Sequence, residues 1–146
     1  MFNPSRDQAR QFLFDTWAKH GQGAALTDLE RIALSVIALH PEYHAVLGAP
    51  ERYVEREYRP ELGETNPFLH MSMHLAIEEQ LSIDQPFGVR ALYQSLCSKT
   101  GDEHTAQHEM MDCLAEMIWQ AQRGGTGPDG GLYLACMRRK AGVDAA

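Results

Sequence analysis

Residues 66–82 read NPFLHMSMHLAIEEQLS and predict the best-defined helix of the chain. Asn66 is a favourable N-cap, and the proline after it suits the first helical position. Apolar residues then recur at helical intervals on one stripe, which also carries His70 and His74 and has Glu78 at its edge. Imidazole and carboxylate groups on the core-facing side of a helix need polar partners. This stretch therefore indicates both the fold class and the place to look for function.

The rest of the chain has the same helical periodicity. The sequence predicts an all-α protein: a single-domain bundle of about five to six helices over residues 1–146, with a tail that frays from about residue 142. The other predicted helices start at Ser5, at Thr27 (with a capping box to Glu30 and a kink or restart at Pro41), at Pro86, at Asp102 and at Leu132. The charged segment 51–61 is predicted to be a short, mostly solvated helix and loop.

The histidines follow a regular pattern. Six of the seven form three pairs with a spacing of four residues, which places the two rings of a pair on the same face of a helix. A carboxylate follows one further turn along in two of the three cases. The pairs are His40/His44, His70/His74 (followed by Glu78) and His104/His108 (followed by Asp112).

Histidine and carboxylate groups on several helices are typical of a metal site in a bundle core. We expect one or two transition-metal ions, with iron, zinc or manganese as the candidates, and the sequence does not name a reaction or say whether the protein is an enzyme. His40 is left out because Pro41 disfavours helical geometry at the residue before it. The candidate ligands are His44, His70, His74, Glu78, His104, His108, Asp112 and Glu116.

Composition argues against several classes of function. The formal charge is −7 with histidines counted neutral, and no dense Lys/Arg stripe is present, which argues against nucleic acids and anionic membranes as partners. No apolar stretch is long enough to span a bilayer. The three cysteines form no CxxC motif, and without a visible secretory signal they predict a reducing cytoplasm, where they would be packing residues or, at Cys113, a thiolate ligand.

A different class of function stays open. The chain could be a non-catalytic interaction or structural module, a homodimer or the partner of an unknown protein, whose histidines are satisfied by protein hydrogen bonds. The charged segment 51–61, which contains tyrosines, is then a partner surface, although such a segment is also typical of a solvated face.

Several strings resemble an uncharacterised family of small bacterial proteins known only as a domain of unknown function. The resemblance covers most of residues 1–140, and it implies no established activity. The strings are MFNPSRDQARQF, LHPEYHAVL, GETNPFLHMSMHLAIEEQLSIDQP, TGDEHTAQH and CLAEMIWQAQR.

A weaker similarity concerns ligand spacing alone. Hemerythrin-like bundles hold two irons with a His-x-x-x-Glu on one helix and a His-x-x-x-His on the next, and the spacings of residues 74–78 and 104–108 match them in that order. His44 would stand for the histidine that comes earlier. The later His-x-x-x-x-Asp is missing, so Glu116 would have to serve, or the site would hold one metal. Metal-dependent bundles of the DinB kind, which hold one ion with three histidines, are similar in the same sense.

Overall fold

The computed structural model describes residues 6–59 and 63–143, and within them every regular element is helical, which confirms the predicted fold class. The helices begin after local signals that can be read in the sequence. Their bounds are α1 Arg6–Gln22, α2 Asp28–Ala38, a 3₁₀ turn Pro41–Tyr43, α3 His44–Leu47, α4 Pro50–Tyr53, α5 Pro67–Ile83, α6 Val89–Thr100, α7 Glu103–Gly124 and α8 Gly130–Ala141.

The predicted number of helices was too low, since the described residues form eight α-helices rather than five or six. The difference comes from the region after α2. Pro41 ends regular helical geometry there, so the chain makes a 3₁₀ turn and the separate one-turn helix α3. The predicted cap at Ser5 and the end of the predicted frayed tail, 144–146, lie outside the described residues.

The chain divides into two compact units, Met1–Ala76 and Ile77–Ala146, with the boundary inside α5. The prediction of a single domain over residues 1–146 stays a prediction. The first unit contains α1 to α4 and the first part of α5. Its core consists of Leu13, Phe14, Ala33, Val36, Ile37, Leu47, Phe68, Met71 and Leu75.

Two local predictions in the first unit are confirmed. The Thr27 hydroxyl accepts a hydrogen bond from the Glu30 backbone N–H, and the Glu30 carboxylate accepts one from the Thr27 N–H, which is a complete capping box. Asn66 Oδ1 accepts hydrogen bonds from the backbone N–H groups of Phe68 and Leu69 at 3.0 and 3.1 Å. Both helices therefore start where local hydrogen bonding favours it.

The second unit contains the rest of α5 and the helices α6, α7 and α8, and these last three pack against one another. Asp102 caps α7 as predicted, because its Oδ2 accepts a hydrogen bond from the Thr105 backbone N–H at 2.8 Å. The buried side chains of this unit include Val89, Leu92, Leu96, Met110, Leu114, Tyr133 and Met137.

The cysteines correct one expectation. Cys113 on α7 and Cys136 on α8 form a disulfide with a Cα–Cα distance of 5.6 Å, so Cys113 is neither a free packing residue nor a thiolate ligand. Spacing in the sequence could not reveal the pair, because it depends on how α7 packs against α8. Disulfides are typical of oxidising compartments, so the cysteines no longer support the prediction of a cytoplasmic location.

No helix in the described part of the chain is both long enough and apolar enough to cross a membrane.

Candidate metal centre

His40 lies at the break between α2 and the 3₁₀ turn. Its backbone angles, φ −129° and ψ 66°, are not helical, which is the restriction that Pro41 imposes on the residue before it. As a result the His40 side chain turns into the first unit, where it is 4% exposed. The same proline that disfavours a helical position for His40 therefore places its side chain in the interior.

Both ring nitrogens of His40 have partners. The Nε2 atom lies 3.2 Å from the Nε2 atom of His74, and the Nδ1 atom lies 2.7 Å from Oε1 of Glu42. The Glu42 carboxylate accepts a hydrogen bond from the Nδ1–H group of His40. In a neutral His40 this leaves Nε2 without a proton, so that it can accept a hydrogen bond or bind a metal. The hydrogen bond from His40 lowers the pKa of the Glu42 carboxyl below its usual value.

His70 completes a group of three histidines in the first unit. Its ring centroid lies 4.7 Å from that of His40 and 5.0 Å from that of His74. The Tyr43 ring also stacks nearly parallel to the His40 ring at 5.1 Å, and burial raises the pKa of the Tyr43 hydroxyl. The His40 ring therefore packs against three other aromatic rings, those of Tyr43, His70 and His74.

His44 is used differently from the other histidines of this unit. Its Nε2 atom lies 3.0 Å from the Ile37 carbonyl oxygen, and its ring packs 4.3 Å from that of Trp17. In this position the side chain helps to join α3 to the end of α2 and to α1. Its predicted role as a ligand has no support from these contacts.

The second unit carries the remaining histidine pair on α7. The rings of His104 and His108 are half-buried, with centroids 4.3 Å apart and planes inclined by 60°. The nitrogens with which they could bind a metal lie within 4.8 Å of each other. The helical spacing thus brings the two rings together as predicted.

The predicted carboxylate ligands of the second unit have protein partners. Glu78 Oε1 accepts a hydrogen bond of 2.6 Å from the Gln107 side chain. Asp112 is largely exposed and lies 3.5 Å from Lys140 Nζ, whose closer partner is Glu109 at 2.6 Å. The hydrogen bond to Glu109 raises the pKa of the Lys140 ammonium.

Glu116 is exposed and lines a small cavity beside the Cys113–Cys136 disulfide.

Four of the described residues each offer a ring nitrogen that could bind a metal ion. They are His40, His74, His104 and His108. Of these, the sequence prediction lacked only His40, and it also missed Glu42 as a hydrogen-bond partner. A signal for Glu42 was present, because a carboxylate two residues after a histidine can reach its Nδ1 across a turn.

One of the comparisons with known proteins gives a match. The family model described as Domain of unknown function (DUF1841) matches residues 5–139, which confirms the resemblance seen in the sequence. No curated protein and no solved structure matches the chain. The similarity to hemerythrin-like and DinB-like bundles stays a prediction.

Proposed function

We propose that this chain, which belongs to the DUF1841 family, binds a transition-metal ion through four of its histidines. The proposed ligands are His40, His74, His104 and His108. The observation that carries the proposal is the 3.2 Å approach of the His40 and His74 Nε2 atoms.

That separation suits two ligands of one ion. Zinc–imidazole bonds are about 2.0–2.1 Å long, so two ligand nitrogens in a tetrahedral site lie about 3.3 Å apart. The two rings need only a small adjustment to share an ion in this geometry. The same distance also suits a hydrogen bond between the two Nε2 atoms, so a bound metal ion would take the place of the proton in that hydrogen bond.

Glu42 supports the proposal from outside the ligand set. Histidines that bind metals commonly donate their other ring N–H to a carboxylate, which fixes the tautomer and makes the ligand nitrogen more basic. The 2.7 Å contact between His40 Nδ1 and Glu42 has this arrangement. Aromatic packing by Tyr43 would hold the ring in place.

We further propose that His104 and His108 supply the other two nitrogens. They are half-buried neighbours on one helix, so both side chains can bind the same ion. A second ion would need further donors, for which His70 and Glu78 are the predicted ligands nearest to His74 in the sequence.

The donor set narrows the choice of metal. Imidazole nitrogens suit zinc and iron, whereas manganese favours oxygen ligands. We therefore expect zinc or iron. If water replaces one of the four histidines as a ligand, a bound ion would supply Lewis-acid chemistry. If all four histidines bind it, the ion would be structural.

The test is elemental analysis of protein purified without a histidine tag, scored as metal per chain. We expect about one equivalent in the wild-type protein and its loss in His74→Ala and in His108→Ala. His20→Ala, which changes an exposed histidine on α1, is the matched control and should keep the metal. Protein that stays empty on titration with zinc and iron, or variants that keep full occupancy, would overturn the proposal.

A second candidate function is a structural or interaction module without metal. The hydrogen-bonded chain Glu42–His40–His74 favours it, because the protein alone satisfies these ring nitrogens. Three exposed apolar side chains of the second unit, Ile118, Trp119 and Leu132, would suit a partner. In this case His40→Ala destabilises a protein that never held metal.

A further inference from the structure

Arg10 is a buried cation in the first unit. Its side chain is on α1 and the residue is 2% exposed. The Nη1 atom donates to the carbonyl oxygens of Tyr53, Val54 and Arg56 at 3.1, 3.0 and 2.8 Å. No Asp or Glu of the described residues forms an ion pair with it. A buried charge without a counter-charge is costly, so the site favours an anion.

The other edge of the same guanidinium carries a buried donor that is unsatisfied. The Nε atom has no hydrogen-bond partner among residues 6–59 and 63–143, where the three hydrogen bonds of the side chain all come from Nη1. The Nε and Nη2 donors form the fork that binds a carboxylate through two parallel hydrogen bonds. The guanidinium also packs against two aromatic rings, since Cζ lies 4.6 Å from the Phe68 ring centroid and 5.6 Å from that of Tyr58.

Arg10 also lines a cavity of about 290 Å³ within the first unit. The other walls are mainly apolar, with a few groups able to donate hydrogen bonds. A volume of this size is near the lower end for small-molecule sites, so it suits a compact ligand. The lining residues are Arg6, Ala9, Arg10, Asn66, Phe68, Leu69 and Ser72.

We propose that this cavity binds a small monocarboxylate with an apolar body, whose carboxylate pairs with the Nε–Nη2 edge of Arg10. A single negative charge is indicated because the neighbouring Arg6 already pairs with Glu57 at 3.1 Å, whereas Arg10 has no ion-pair partner within residues 6–59 and 63–143. The apolar walls favour a hydrocarbon body over a sugar or a phosphate ester. This site is separate from the proposed metal ligands.

The test uses octanoate as the probe and 1-octanol as its uncharged counterpart, with binding measured by calorimetry on the full chain. We expect octanoate to bind at least tenfold more tightly than the alcohol. Equal binding of the two, or no binding of octanoate, would overturn the proposal.

A pair of matched variants locates the binding. Ser72→Leu fills the cavity and should weaken octanoate binding at least tenfold, whereas Ser35→Leu makes the same change at an exposed position of α2 and should leave it unchanged. Ser72 is used because Arg10 also holds the segment after α4, so that Arg10→Lys could fail to fold. Unchanged binding in Ser72→Leu would contradict the assignment.

Discussion

His40 and His44 in the first unit have the same spacing as His104 and His108 in the second, but their surroundings differ. The later pair lies on one unbroken helix with its rings 4.3 Å apart. In the earlier pair, Pro41 interrupts the helix, so His40 contacts His74 while His44 contacts Ile37 and Trp17. Histidine spacing is therefore informative only where the helix between the two residues is continuous.

The largest expected effect is on zinc affinity, and it is seen when His40 and His44 are replaced one at a time. We expect His40→Ala to weaken zinc binding by about 100-fold or more, since loss of a ligand should cost at least as much as loss of its outer partner. His44→Ala should leave zinc affinity within a few-fold of wild type. Competition with a chelator measures both. Equal losses in the two variants would mean that the pair acts as a unit despite Pro41.

The next largest expected effect is on stability and concerns the disulfide, which links α7, the helix of His104 and His108, to α8. Its two cysteines are 23 residues apart, and closing a loop of this length stabilises a fold by about 3 kcal/mol in the chain-entropy description. We expect Cys113→Ser with Cys136→Ser to lower the free energy of unfolding by about this amount. Cys97→Ser, at the free cysteine, should change it little.

Urea denaturation with and without a reductant measures this difference. If the reductant does not destabilise the wild-type protein, α7 and α8 do not depend on the disulfide.

The third expected effect compares two carboxylates, Glu42 near His40 and Asp112 near His108, in their influence on zinc binding. Glu42 contacts a ring nitrogen of His40, whereas Asp112, four residues after His108, lies next to Lys140 instead. We expect Glu42→Gln to weaken zinc binding by roughly 10- to 100-fold and Asp112→Asn to have no measurable effect. A larger loss in the Asp112 variant would favour the original sequence prediction of that residue as a ligand.

The smallest effect concerns the start of the helix that carries His104 and His108. Hydrogen bonds from the Thr105 backbone N–H and hydroxyl lower the pKa of the Asp102 carboxyl. A lowered pKa stabilises the folded state above the usual pKa of aspartate, and this contribution is lost as the pH falls through the lowered value. The advantage of wild type over Asp102→Asn should therefore be present at pH 7 and vanish in strong acid.

Urea midpoints of the two proteins at several pH values, in the absence of metal, test this expectation. A constant difference across the range would mean that Asp102 does not stabilise α7 through its charge.

The features that could be predicted from the sequence are local ones. The caps at Thr27, Asn66 and Asp102 depend on residues within a few positions, and the structure confirms each of them. The helical spacing of His104 and His108 is local in the same way.

What could not be predicted depends on contacts between distant segments. The approach of His40 to His74 joins residues 34 positions apart and follows from the direction that the chain takes after Pro41. The pairing of Cys113 with Cys136 and the three carbonyl contacts of Arg10 likewise require the packing of separate helices and segments. Periodicity alone carries no information about such pairings.

The most direct test of the central claim is a calorimetric titration of chelator-treated protein with zinc, comparing wild type with the His40→Ala, His74→Ala double variant. We predict saturation at about one ion per chain in wild type and no saturable binding in the double variant. Absence of binding in wild type, or identical titrations of the two proteins, would contradict the claim that these histidines form a metal centre.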